Sequence, residues 1–410
     1  AAQGQLINTP TEQEQAAPSH AGDLLLQAAR DRARHGLPGQ SAATLVVDQH
    51  WQVPPQPAAH EVCYRYDPDR NRHQAVIHGT VDRLVSLDDP CRLSPVEVAK
   101  PWGREIWFTG IEARGESRVA VNGGEIGLGT YLALAPRHLT GGHTPVLLKI
   151  LDPLPTPVLG ELYLEVHETK QEVYVVTAVD EAAWPEGVGR IRYGANQKKR
   201  SEFADDAAFR AAFLEALEAY ESLRRQIDAG NRGLAAQEAE ARAACLTFTD
   251  ELPLRIGDVI RVPTWVPHSL QQGVQVVEFQ SPSYERYILS SSQRVLTQDR
   301  WDSAHAVAHM QLDPPDEPAA VAVTEHCQAI VSFAEFGVWQ ARLTDGASIA
   351  LPVSAPYALA FCVSGRAQLT GPHEGLALGA GEAALIPAAA VGCAVTGHDD
   401  SILLLAAPGL

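Results

Sequence analysis

Four side chains in two short segments have the types and the spacing to hold one metal ion: Glu165, His167, Glu172 and His268. The first segment reads LYLEVHETKQEVYVV from Leu162. Side chains alternate across a strand, so Tyr163, Glu165 and His167 share one face while Leu162, Leu164 and Val166 share the other. A carboxylate and an imidazole two residues apart on one face can bind the same ion. The chain then turns over residues 168–171, and Glu172 opens a second strand that, paired beside the first, could bring its carboxylate to the same point. The second segment reads GDVIRVPTWVPHSL from Gly257, with five residues between Gly257 and Pro263 and four between Pro263 and His268. Gly257 and Asp258 turn the chain into a strand, and Pro263 and Pro267 fix its exit, leaving His268 near the strand end. Two imidazoles and two carboxylates with no thiolate suit one divalent metal of borderline character, zinc first, with iron(II), manganese and nickel also compatible. Such an ion can act on a substrate as a Lewis acid.

These residues need strands to carry them, and the rest of the chain supplies strand patterns. Short β-rich runs separated by Gly, Pro, Asp and Asn fall at 43–47, 61–66, 75–77, 105–108, 118–121, 146–151, 163–167, 173–179, 259–262 and 275–279. Leu24, Leu25, Leu26, Ala29 and Ala33 predict a short amphipathic helix over 22–35. After Arg192 the period changes. Asp205 or Asp206 can cap a helix in which Phe209, Phe213, Leu214, Leu217, Tyr220, Leu223 and Ile227 recur at helical spacing, with Gly230 as its stop. A second Ala- and Glu-rich helical run follows over 234–244. Residues 205–245 therefore read as a helical insertion in a β domain, a surface hairpin without chemistry of its own. Residues 312–319, DPPDEPAA, form a linker.

The two ligand segments resemble the paired motifs of a cupin barrel. Glu165 stands where a His is usual, and four rather than five residues follow Gly160 before it. More broadly, the chain from Lys100 onward resembles the class I mannose-6-phosphate isomerases, which are tandem cupins with a metal in one barrel. The resemblance is carried by KPWGREIW from Lys100, LLKIL from Leu147, LEVH from Leu164, Lys170-Gln171-Glu172, VPTWVPH from Val262 and VVEFQSPSYERY from Val276. It implies a mainly β fold of two cupin (double-stranded β-helix, jelly-roll) barrels with a helical insertion. The expected divisions are an N-terminal extension over 1–95, a metal-binding cupin over 96–311 and a degenerate second cupin over 312–410. It implies metal ligands at Glu165, His167, Glu172 and His268. It also implies catalytic roles for Lys170, Glu278 and Arg286, with Glu278 as the base, and substrate contacts from Lys149 and Tyr163. The implied reaction is aldose–ketose isomerisation of a sugar or sugar phosphate through an enediol. Tyr163 and Glu165 depart from the family pattern, so fold and metal site carry over better than the substrate does. On the residues alone, Lys170 could be a solvated turn lysine, Arg286 could pair Glu285 or Asp299, and Glu278 could face solvent. Two rivals stay open: another metal cupin enzyme such as a dioxygenase, and a non-catalytic sugar-binding cupin.

The C-terminal stretch repeats the frame without the ligands. Phe361 to Gly365 reads as a strand and turn, and Gly381 through Pro387 repeats the glycine, five residues, proline spacing. Gly392 falls where His268 falls in the first copy, so no metal is expected there.

Composition bounds the remaining possibilities. The chain has 410 residues and a formal net charge of −18, which argues against partners such as nucleic acid or an anionic membrane. Six scattered cysteines without a CxxC pair read as reduced thiols, and no signal-like or membrane-spanning run is present, so a cytoplasmic protein is expected. Formation of a homodimer is left open.

Overall fold

The computed structural model describes residues 20–49, 51, 54–156, 162–289, 302–316, 319–351, 355–390 and 392–409. Residues 1–19 of the polar tail, Gly160 and Glu161, Asp299, and 317–318 of the linker lie outside the described residues. The protein is mostly β, 45% strand against 21% helix, with several sheets and, among the described residues, no closed barrel, and this is the mainly β class expected. Among the described residues no helix is long and apolar enough to cross a membrane.

The chain divides into two compact units, one from the described parts of 99–105 and 150–318, the other from those of 14–98, 106–149 and 319–410. In the first, the strand Glu172–Val179 lies between Val259–Val262 and Val274–Gln280, and that sheet continues through 150–153 and 103–105. A second sheet has the order Thr249–Leu254, Gly189–Ala195, His268–Leu270, Leu164–Val166, Tyr287–Leu289. The sheets pack face to face. Tyr174, Val176, Val262 and Val276 of one share an apolar core with Ile191, Tyr193, Leu254 and Leu270 of the other. Fully burying one such side chain stabilises the fold by about 1.5–3 kcal/mol.

The helical insertion is more than a surface hairpin. Its long helix spans Asp206–Asp228, capped by Asp205, whose carboxylate accepts from the Ala208 amide, and a second helix spans Ala235–Leu246. Gly230 at φ +109° follows the end of the first, as its spacing predicts. Phe209, Phe213, Leu217 and Tyr220 recur on one helix face and are fully buried. They form a core with Leu164 and Val166, the strand residues that alternate with Glu165. The helices thus cover the back of the strand whose front carries Glu165.

In the second unit, the helix Ala21–Arg34 accompanies a four-stranded antiparallel sheet of Gln40–Gln49, Gln56–Asp67, Arg72–Ile77 and Arg83–Ser86. An eleven-stranded sheet joins distant parts of the sequence: Cys91–Ser94 pairs with Ala383–Pro387. Its core is Leu, Ile, Val, Ala and Cys, among them Leu343, Ala360, Ile386, Leu403 and Leu405. The turn expected at Gly365 is instead a bulge. One strand runs Tyr357–Leu369, its register shifting on either side of Ser364 where Gly365 takes φ +72°. A glycine in that conformation serves a bulge as readily as a turn.

Candidate metal centre

Glu165 and His268 stand directly opposite each other on antiparallel neighbours. Cross-strand partners project from the same face, so both side chains enter the space between the sheets. His167 follows the last residue of the ligand strand and is 1% exposed. Glu172, also 1% exposed, opens the strand of the opposing sheet.

The four converge. The nearest ligand atoms of Glu165, His167 and His268 all lie within 4.8 Å of one another. His167 Nε2 is 3.8 Å from Glu165 Oε1 and 3.4 Å from Glu172 Oε1. His268 Nε2 is 3.8 Å from Glu165 Oε1 and 3.1 Å from Glu172 Oε2. Despite those distances neither Nε2 is aligned in a hydrogen bond, and His167 Nδ1 also lacks one among the described residues. His268 Nδ1 lies 2.9 Å from the Val266 carbonyl, which can only accept, so Nδ1 carries a proton and Nε2 is the ring atom turned toward the carboxylates. Two buried imidazole nitrogens without hydrogen bonds, beside two carboxylates, form a donor set that fits a divalent cation.

The electrostatics agree. Burial pushes the Glu165 carboxyl up, but His167, Lys170 and His268 outweigh it and hold the group below the usual carboxylate range. Glu172 goes well below that range, Lys170 and His167 outweighing burial. Burial, with the Lys170 charge, lowers His167, whereas at His268 the Glu172 carboxylate overcomes burial and raises it. Glu165, Glu172 and the buried Glu278 thus gather carboxylates about the Lys170 ammonium, a concentration of acidic groups that favours a cation.

Lys170 is no solvated turn residue. It is 7% exposed and its Nζ lies 2.5 Å from Glu172 Oε1. Carboxylate neighbours Glu172, Glu165 and Glu278 overcome burial and raise it. Glu278 is buried on the site face rather than in solvent, opposite Tyr174 in the ladder. Arg286 is exposed and sits over the Tyr163 ring, 5.5 Å from its centroid, rather than paired with Glu285. Lys149 belongs to the other unit, where its buried ammonium lies 5.6 Å from the Trp107 ring centroid.

Three supporting residues escaped the sequence reading. The Tyr174 hydroxyl donates to Glu172 Oε2 at 2.5 Å, so both Glu172 oxygens are engaged. Period-two reasoning could have found it, since Tyr174 shares the face of Glu172. The Glu285 carboxylate accepts from the Glu168 and Thr169 amides at 2.9 and 3.0 Å, pinning the turn between the two ligand-bearing strands. The Trp265 amide donates to the His167 carbonyl at 2.6 Å. Trp265 holds φ +64°, a left-handed conformation that costs a non-glycine residue about 1–2 kcal/mol. Its ring stacks on Tyr287 at 5.8 Å, and the amide bond and the stack offset that strain.

No protein-family model matches the sequence, and no curated protein matches it significantly. Solved structures do. A zinc-bound mannose 6-phosphate isomerase superposes with TM-score 0.60 at 16% identity, covering 78% of this chain and 100% of that one. A single-residue variant of phosphomannose isomerase from Salmonella typhimurium gives the same values. A mannose 6-phosphate isomerase bound with zinc and yttrium gives a TM-score of 0.59, again at 16% identity, with coverage of 78% and 100%. The chain therefore has the tandem cupin fold of those enzymes.

Proposed function

We propose that the first unit is a metal-dependent aldose–ketose isomerase acting on a sugar or sugar phosphate. The observation that carries this is the convergence of Glu165, His167, Glu172 and His268, with the Nε2 atoms of both buried histidines free of hydrogen bonds. Glu165, His167 and His268 would hold the ion, and Glu172, tied to Lys170 and Tyr174, would complete the set. Zinc is the first expectation, because solved neighbours contain it. When bound, the ion would supply Lewis acidity toward the carbonyl and hydroxyl oxygens of the sugar. Glu278 would accept the proton from the carbon beside the carbonyl and return it to the neighbouring carbon, and Lys170 and Arg286 would stabilise the developing negative charge. Tyr163, with Arg286 over its ring, would bound the substrate. Lys149 is retained as a proposed substrate contact on the resemblance alone. The six free cysteines support a reducing compartment such as the cytoplasm.

A second reading rests on one observation. Both Glu172 oxygens are engaged, which leaves two histidines and one carboxylate as free donors. That is the ligand set of iron(II) oxygenases. Metal analysis of the purified protein, coupled to interconversion assays over free and phosphorylated aldoses and ketoses, separates the readings. Isomerisation lost together with the metal in His268→Ala supports the isomerase. Turnover that requires dioxygen replaces it with the oxygenase. Bound metal with no turnover of any sugar leaves a sugar-binding module.

A further inference from the structure

The second unit has its own polar cluster, built from residues scattered through the sequence. Asp88 is 2% exposed and accepts from the His73 amide at 2.6 Å. Its carboxylate also lies 3.0 Å from His73 Nδ1, 2.8 Å from His138 Nε2 and 3.5 Å from His373 Nε2. The other nitrogens of the first two rings meet Arg30: its Nε donates to His73 Nε2 at 2.7 Å, and its Nη2 lies 3.2 Å from His138 Nδ1.

A guanidinium can only donate, so the ring nitrogens facing Arg30 are lone pairs and those facing Asp88 carry protons. The His73 ring, which accepts from Arg30, is thereby held neutral. Burial and the Arg30 charge outweigh Asp88 and hold His73 below its usual value. The arrangement resembles a metal site in its carboxylate-oriented histidines, but the position of the ion is taken by a guanidinium. A metal would have to displace a cation to enter. Arg30 is fixed instead by two ring nitrogens rather than by a carboxylate.

Arg30 lines a cavity of about 540 Å³ together with Arg34, Arg70, Asn71 and His373. Arg34 pairs with Asp31 at 3.1 Å, while Asp88 is already saturated by its N–H donors. Three guanidiniums therefore face one space in a chain of net charge −18. The cavity is within the range of small-molecule sites, about 300–1,000 Å³, and larger than one inorganic anion requires. Guanidinium forks match the oxygens of a phosphoryl group, and Asn71 and His373 offer hydrogen bonds to a polar body.

We propose that this cavity binds a small organic phosphate monoester, with Arg30 as the fixed anchor and Arg34 and Arg70 closing on the phosphoryl group. The site is separate in composition from the metal centre and does not depend on the isomerase reading.

Calorimetric titration of the full chain with glycerol 3-phosphate, inorganic phosphate, glycerol and succinate tests this. Glycerol 3-phosphate should bind more tightly than inorganic phosphate, and glycerol not at all. Arg30→Gln and Arg70→Glu should each weaken binding by about tenfold or more. Arg70 is exposed, so its variant remains informative if Arg30→Gln does not fold. The double variant His167→Ala, His268→Ala should bind glycerol 3-phosphate within about threefold of the parent, since neither residue lines the cavity. Unchanged affinity in both arginine variants, loss of binding in the histidine double variant, tighter binding of succinate, or a second zinc ion per chain that disappears in Asp88→Asn would each overturn the proposal.

Discussion

Gly257 and Gly381 turn the chain at φ +93° and +79° into the short strands Val259–Val262 and Ala383–Pro387. A proline closes each segment. Beyond that point the units part. In the first, the chain delivers His268 into a cluster of buried charge. In the second, Gly392 stands at the matching place with φ +104°, and the core around Ile386, Leu403 and Leu405 is apolar. The turn and strand frame is thus indifferent to what fills the interior. An apolar filling stabilises by removal from water, whereas the charged one, on the proposed reading, is balanced by a metal ion. Metal affinity and fold stability should therefore be coupled in the first unit and independent in the second.

The strongest attempt to break this contrast removes both imidazoles. The double variant His167→Ala, His268→Ala should fall from about one bound metal per chain to almost none, read by elemental analysis after dialysis, because removing ligands costs more than the ~10–100-fold lost with supporting partners. Full occupancy in that variant would place the metal elsewhere.

Truncating the helix behind the ligand strand comes next. Phe213→Ala should destabilise the first unit by about 3–5 kcal/mol in denaturant unfolding, and lower metal affinity too. Leu405→Ala in the second unit should cost about 2–5 kcal/mol and leave metal affinity unchanged. Equal effects on metal binding would erase the contrast.

Acid sharpens it further, with a smaller effect. Glu165 and Glu172 have lowered folded values, so their contribution is present above the ordinary carboxylate range and disappears as pH falls through the folded values. His167, held neutral, works in the same direction, losing stability as pH falls below its unfolded value. His268 is raised and opposes them, contributing below its unfolded value and losing that contribution as pH rises through its folded one. Protons also compete with the metal for both rings. Metal release should precede acid unfolding in a titration followed by circular dichroism and a chromogenic chelator. Retention of metal down to the unfolding pH would contradict this order.

The smallest effect is the most even. Gly257→Ala and Gly381→Ala place a Cβ in open space at positive φ, and each should cost about 1–2 kcal/mol in denaturant unfolding. A large difference between them would show that the two turns are not equivalent.

What the sequence revealed depended on range. The strands Arg118–Val121 and Val259–Val262 and the helix beginning at Asp206 follow local alternation, period and capping, so they were legible. The meeting of Glu165, His167, Glu172 and His268 was legible because two compact segments carry them. Gly365 misled because a glycine signals a turn and a bulge alike. Pairing of Cys91–Ser94 with Ala383–Pro387 had no local signal, nor did the meeting of His73, Asp88, His138 and His373. Glu285 reaches a turn more than a hundred residues earlier, and only the folded chain brings them together.

The helical insertion leaves its sheet at Ala195 and re-enters at Thr249, and these two residues are register partners. Its ends are already adjacent, so its length is nearly free of loop-closure entropy: doubling such a loop costs only about 0.6 kcal/mol. The tip beyond Asp228 is accordingly a natural graft point, where a reporter could be spliced in without disturbing the ladder that holds His268.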